Sequence, residues 1–128
     1  MSTAVPRTVT SPKKFIIGKG LLSQMHEYVH DFGDNAFIIA DEFILSRLEN
    51  EALTGLEQNG INNQLEKFNY ECSEVEIQRL VALAEQAHAN VIVGVGGGKT
   101  LDVAKAVAFH LKHPVVLYPT IASTDAPC

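Results

Sequence analysis

Strand-length apolar segments alternate with helix-length amphipathic segments along this chain. The run Val91–Val95 is apolar throughout, as in a parallel strand that helices cover on both faces. Further strands are predicted over residues 14–17, 36–40, 62–68 and 114–118. Helices are predicted over residues 21–32, 43–58 and 100–111, and another begins at Ser73, where Glu76 completes a capping box. This alternation predicts an α/β fold with a doubly wound parallel sheet.

Composition and charge exclude several classes of protein. Of the 128 residues 46% are hydrophobic, which is typical of a folded chain, and the length predicts one domain over residues 1–128. With 10 basic and 15 acidic residues and no basic cluster, the chain is not expected to bind nucleic acid. No apolar run reaches about 18 residues, so no membrane span is predicted. The amino-terminal segment lacks the apolar centre of a signal peptide. We interpret Cys72 and Cys128 as reduced thiols of a cytoplasmic protein.

Three segments follow predicted strands directly, and ligands of such sheets bind beyond the carboxyl ends of the strands. They are Asp41, Gly96–Lys99 and Thr120–Asp125. The glycine-rich turn precedes a helix, whose free N–H groups and dipole suit a phosphate or pyrophosphate. It fits neither common phosphate motif, since Walker A would need glycine at Val93 and GxGxxG would need glycine at Lys99. A turn that serves only tight packing of helix on strand is the alternative.

Asp41 has two interpretations at this stage. Its carboxylate could accept hydrogen bonds from both hydroxyls of an adenosine ribose, and it would then repel the 2′-phosphate of NADP. Aspartate is also a favoured residue at the start of a helix, so Asp41 could instead cap the helix that follows it. The local sequence favours neither interpretation.

The first predicted helix contains a zincin-like HExxH motif. His26 and His30 are one helical turn apart, and Glu27 could activate a zinc-bound water, so a zinc metalloprotease is a remote alternative. The helical spacing opposes it, because it places both histidines to the side of the apolar stripe, toward solvent. The stripe predicted to face the core comprises Leu21, Met25, Tyr28 or Val29, and Phe32.

Five collinear segments carry a resemblance to a known family. They are SPKKFIIGKG (11–20), IIADEF (38–43), ECSEVEI (71–77), GVGGGKTLDVAKA (94–106) and PTIASTDAPC (119–128). Together they resemble the iron- or zinc-dependent polyol dehydrogenases along the whole chain. The resemblance implies that residues 1–128 form the Rossmann-like, NAD-binding amino-terminal domain of such an enzyme, without the family's helical metal-binding domain.

The resemblance also implies roles for individual residues. Asp41 would hold the adenosine ribose of NAD, and Asp125 would contact the polyol substrate. Asp102 matches a position that is usually acidic, and we interpret it as a helix-start residue. The remaining cofactor contacts would be Gly97, Gly98 and Lys99 at the pyrophosphate, and Thr120 and Ser123 toward the inner phosphate and nicotinamide.

The reaction that the resemblance implies is the oxidation of a polyol such as glycerol to dihydroxyacetone, with hydride transfer to NAD. The zinc ligands would lie after Cys128, so we expect a truncated chain that carries no catalytic residue or metal ligand of its own. Complete members of the family are expected to be homo-oligomers. A nucleotide-binding module without catalysis is the alternative, because it would share every residue named above.

Overall fold

The structure is a computed structural model that describes residues 15–18, 21–69 and 73–120. Within these residues, five strands form one sheet in the order β1-β5-β4-β2-β3, and every neighbouring pair is parallel. The predicted α/β fold with a parallel sheet is therefore confirmed. The strands are β1 (Phe15–Ile17), β2 (Asn35–Ala40), β3 (Asn62–Lys67), β4 (Val91–Gly96) and β5 (Val115–Pro119).

Helical segments connect the strands and cover both faces of the sheet. The α-helices are α1 (Met25–Val29), α2 (Leu45–Arg47), α3 (Leu53–Gln58), α4 (Glu74–Gln86) and α5 (Gly98–Leu111). Two 3-10 turns, Leu22–Gln24 and Glu42–Ile44, precede α1 and α2, and a π-helical segment, Leu48–Ala52, joins α2 to α3. Among the described residues, no helix combines the length and the apolar character needed to cross a bilayer.

Two apolar layers pack on the central strands because successive side chains of a strand point to opposite faces. In β2, Ile38 and Ala40 belong to the layer beneath α1, while Phe37 and Ile39 belong to the layer beneath α4 and α5. The first layer also contains Leu48 and Leu56 of the helical connection between β2 and β3. All six residues of β4 are buried, as the apolar run predicted.

The chain reverses its direction across the sheet between β2 and β4. These strands are neighbours, but the helices that follow them lie on opposite faces, since α5 belongs to one apolar layer and Leu48–Leu56 to the other. The two connections therefore diverge at the carboxyl edge of β2 and β4, which is the position of the ligand crevice in open α/β sheets. This topological switch point is where open α/β sheets bind ligands.

The first predicted helix is wrong in part. The chain forms a 3-10 turn and then α1, which ends at Val29, instead of one helix over residues 21–32. Leu21 lies before the turn in an extended conformation and is 65% exposed, so Leu22 takes the buried place predicted for Leu21. Met25 and Val29 are buried as predicted.

Candidate functional site

The carboxylate of Asp41 meets the beginning of α5 at the switch point. Asp41 follows β2 directly and is 2% exposed. Its Oδ2 accepts a hydrogen bond from the Gly97 N–H at 3.0 Å, and its Oδ1 accepts one from the Thr100 hydroxyl. The Asp41 N–H donates to the Val95 carbonyl at 3.2 Å, which continues the pairing of β2 with β4. Two segments that are 56 residues apart in sequence thus form one polar site.

The prediction that Asp41 caps the helix after it is wrong. Asp41 occupies the capping position of the Glu42–Ile44 turn, but its side chain makes no capping hydrogen bond there. The carboxylate points instead to the start of α5. The N-cap residue of α5 is Gly97, which has no side chain that could make a capping hydrogen bond. The ribose-binding role of Asp41 stays a prediction.

Two glycines near the turn are required by packing. Gly96 has a φ of +153°, and a Cβ there would lie 2.6 Å from the Asp41 carboxylate carbon. Gly94 lies beneath α5, and a Cβ there would lie 2.6 Å from the Ala104 Cβ. The packing alternative therefore accounts for Gly94 and Gly96.

The next three residues form the start of α5. Gly97 is extended and buried, while Gly98 and Lys99 are half-buried in the first turn. The glycine-rich segment thus places a helix N-terminus at the crevice, with a lysine in its first turn. This arrangement suits an anionic group of a ligand.

Thr120 borders the same turn from the side of β5. Its N–H donates to the Gly96 carbonyl at 3.0 Å, and its Oγ1 is buried with no hydrogen-bond partner among the described residues. The structure therefore brings together Asp41, Thr120 and the glycine-rich turn. Ser123 and Asp125, the other predicted contacts, lie outside the described residues, as do Cys72 and Cys128.

Thr100 is a member of this site that the sequence analysis did not single out. It is 1% exposed, and its hydroxyl donates to Asp41. A signal was present, because Thr100 lies three and four residues before Val103 and Ala104 on the buried face of α5. A polar residue on an apolar helical face requires a buried partner, and here that partner is Asp41.

An ion-pair network ties the end of β3 to α4. Arg79 donates to Glu76 Oε2 at 2.7 Å and to Glu66 Oε2 at 3.1 Å, and the Asn69 N–H donates to Glu76 Oε2 at 3.0 Å. Burial alone would raise the pKa of Glu76, but the hydrogen bonds from Arg79 and Asn69 outweigh it and hold that pKa below its ordinary value. We interpret this network as structural support for the edge of the sheet beside Asp41.

The HExxH motif does not form a metal centre within the described residues. The prediction that both histidines point toward solvent holds for His30, whose side chain is 72% exposed and lies 3.6 Å from Asp31. It is wrong for His26, whose Nδ1 is buried against Gly55 of α3 and has no hydrogen-bond partner among the described residues. In the part of the chain that the structure describes, no group of three or more histidine, cysteine, aspartate or glutamate residues could hold a metal ion. A groove of about 660 Å³ between the Leu21–His26 segment, the π-helical segment and α3 contains His26. The geometry does not favour the metalloprotease alternative.

The chain is similar to known proteins over most of its length. The model of the iron-containing alcohol dehydrogenase family matches residues 12–128. Glycerol dehydrogenases from Pseudomonas putida and Citrobacter freundii are 46% and 43% identical over 95% and 94% of the chain. The crystal structure of glycerol dehydrogenase from Schizosaccharomyces pombe superimposes with a TM-score of 0.75 and 34% identity, covering 94% of this chain and 31% of that one. The chain spans about a third of the length of the curated relatives, 33% in both cases.

Proposed function

Since the chain belongs to the iron-containing alcohol dehydrogenase family, we propose that it is the NAD-binding part of a glycerol dehydrogenase. The observation that carries the proposal is the meeting of Asp41 with the start of α5 at the switch point between β2 and β4. Relatives that are named glycerol dehydrogenases and match nearly the whole chain support the polyol as substrate.

The residues at the crevice fit the ribose and pyrophosphate of NAD in their chemistry. Gly97, Gly98 and Lys99 begin α5 and would hold the pyrophosphate through backbone N–H groups and a cationic side chain. Gly96 leaves the turn without a Cβ where it passes Asp41. Thr120 lies on the β5 side of the turn, and its buried hydroxyl would face the inner phosphate and the nicotinamide end.

Asp41 would select NAD over NADP. Its carboxylate would accept hydrogen bonds from the hydroxyls of the adenosine ribose, and a 2′-phosphate at that place would be repelled. Two like charges about 4 Å apart repel by roughly 4 kcal/mol at an effective dielectric constant near 20.

The reaction would take place at the β5 end of the crevice. Bound NAD would supply the hydride acceptor for oxidation at a carbinol carbon, and the protein would position the two reactants. Ser123 would line the nicotinamide end and Asp125 would bind the polyol. Glycerol would become dihydroxyacetone by loss of the hydride to NAD and of the hydroxyl proton to solvent. The described residues do not supply a ligand set for the zinc that the resemblance implies, so its ligands would come from outside them.

Isothermal titration calorimetry of the 128-residue chain with NAD and with NADP tests this proposal. We expect saturable binding of NAD and weaker binding of NADP, and we expect Asp41→Ser to reduce the preference for NAD at least tenfold. Asp102→Asn is the matched control, because it also removes one negative charge, but from α5 at a position away from Asp41. There Asp102 pairs with Lys105 at 3.6 Å. The absence of saturable binding of either nucleotide, or a preference unaffected by Asp41→Ser, would contradict the proposal.

A further inference from the structure

We propose that Thr100 is a positioning residue which holds the Asp41 carboxylate on the start of α5, in the place of a ligand phosphate, until a nucleotide displaces it. This inference rests on the proposed function and concerns the regulation of the same site. It begins from the placement of Asp41, both of whose carboxylate oxygens accept hydrogen bonds from α5 and the turn before it.

The observed position of Asp41 is incompatible with the ribose contact proposed for it. At 2% exposure, the carboxylate presents almost no surface to the crevice. Each oxygen accepts one hydrogen bond, from the Thr100 hydroxyl or the Gly97 N–H, and burial of the side chain keeps its remaining acceptor sites from a ribose hydroxyl. A ribose could bind Asp41 only after the side chain has turned toward the crevice.

The same position is incompatible with a phosphate at the turn. The Gly97 N–H has a single hydrogen, and Asp41 Oδ2 accepts it at 3.0 Å. A phosphate oxygen that used this donor would also lie beside a carboxylate of like charge, which repels it. The carboxylate therefore occupies the anion position of α5, where the helix dipole stabilises it as it would stabilise a phosphate.

The fold allows Asp41 to leave without breaking the sheet. Its backbone is fixed at both ends, because its N–H donates to the Val95 carbonyl and its carbonyl accepts from the Ile44 N–H at 3.1 Å. Rotation of the side chain alone would move the carboxylate. The Thr100 hydroxyl would then have a replacement acceptor, since a helical threonine can donate to the carbonyl three residues before it, here that of Gly97, which accepts the Leu101 N–H as the first carbonyl of α5.

Thr100 therefore sets the fraction of molecules in which the Asp41 carboxylate has left α5 and the site can bind a nucleotide. A ligand that binds only the turned-out state has an affinity reduced by the fraction of molecules in that state. Removing the Thr100 hydroxyl weakens the hold on Asp41 and raises that fraction. This sign is opposite to the effect expected if Thr100 oriented Asp41 toward the ribose.

The test compares Thr100→Val with Thr100→Ser by calorimetric titration of the full 128-residue chain with NAD. We expect Thr100→Val to bind NAD at least about fivefold more tightly than the wild type, because it loses one hydrogen bond to a carboxylate. Thr100→Ser keeps a hydroxyl and should bind within about twofold of the wild type. Weaker or unchanged binding by Thr100→Val would overturn the proposal.

A second arm uses inorganic pyrophosphate, which has no ribose. Asp41→Asn should bind pyrophosphate at least about tenfold more tightly than the wild type, since the competing anion is gone. Asp102→Asn, with the same net charge, should stay within about twofold. Equal pyrophosphate affinity in Asp41→Asn and the wild type would overturn the proposal. This comparison tests the proposal even if a Thr100 variant fails to fold.

The two proposals fail in different ways. If the wild type binds NAD but Thr100→Val binds it more weakly, only the positioning role of Thr100 is wrong. If no variant binds NAD, but Asp41→Asn alone binds pyrophosphate more tightly than the wild type, the proposed dinucleotide site is wrong. The inference that the Asp41 carboxylate competes with an anion at α5 would then still hold.

Discussion

We expect Gly96→Ala to destabilise the chain by about 4 kcal/mol, because two costs fall on the same residue. The backbone φ of +153° is one that a residue with a side chain rarely adopts, and such strain costs about 1–3 kcal/mol. The new Cβ would also lie 2.6 Å from the Asp41 carboxylate carbon, so the carboxylate would have to leave its hydrogen bonds with Gly97 and Thr100, which costs about 1–3 kcal/mol. Together these costs are a large part of the stability of an ordinary domain.

Gly60→Ala is the matched control for the backbone cost. Gly60 also has a positive φ, +76°, but a Cβ there would meet nothing within 4 Å. The control should therefore lose only about 1–2 kcal/mol. Urea unfolding followed by far-ultraviolet circular dichroism measures both variants, since the chain has no tryptophan for fluorescence.

A double-mutant cycle with Asp41→Ala isolates the contact itself. Without the carboxylate, the alanine Cβ has no atom of Asp41 to displace, so Gly96→Ala should cost about 1–3 kcal/mol less in the Asp41→Ala background than in the wild type. The reasoning is refuted if Gly96→Ala costs no more than Gly60→Ala, or if its cost is the same in both backgrounds.

Three further predictions concern the support of the site and are checked by the same unfolding assay. Glu76→Gln should lower the free energy of unfolding by about 1–3 kcal/mol at pH 7. Because folding lowers the pKa of Glu76, this difference from the wild type should shrink as the pH falls below the ordinary value of 4.5. A difference that is constant between pH 7 and pH 3 would contradict this. Ser73→Ala should cost about 1 kcal/mol, since the Ser73 hydroxyl accepts the Glu76 N–H at 3.2 Å as the N-cap of α4, and no loss would show that the cap contributes nothing. Tyr118→Phe should leave the free energy of unfolding unchanged or raise it by up to about 1 kcal/mol. Tyr118 is only 5% exposed, and its hydroxyl has no hydrogen-bond partner among the described residues. A clear loss of stability would show that the hydroxyl has a partner.

The order of the elements and their parallel pairing could be predicted because four of the five described strands are short apolar runs between helical segments; β3, with the sequence NNQLEK, is the exception. Fully buried strands such as β4 have the clearest signal. The break in the first helix could not be predicted from spacing, since Leu21 and Leu22 are equally apolar. Only the tertiary packing of Leu22 decides which of them is buried.

The candidate site was predicted in its parts but not in its connections. Asp41 and the glycine-rich turn could be identified because both follow strands. Whether they meet depends on strand order, which brings β4 beside β2 although β3 lies between them in the sequence. The hydrogen bond from Thr100 to Asp41 joins residues that are 59 positions apart, and no local pattern encodes such a pair.

The central claim is that the carboxyl edge of β2 and β4 binds NAD, and the most direct measurement is an NMR titration of the ¹⁵N-labelled chain with NAD. We predict saturable shifts that are largest for the amides of Asp41, Gly97 and Thr100, with the groove amides of Thr54 and Asn59 unaffected. Shifts concentrated at Thr54 and Asn59, or no saturable shift at the Gly97 amide, would contradict the account.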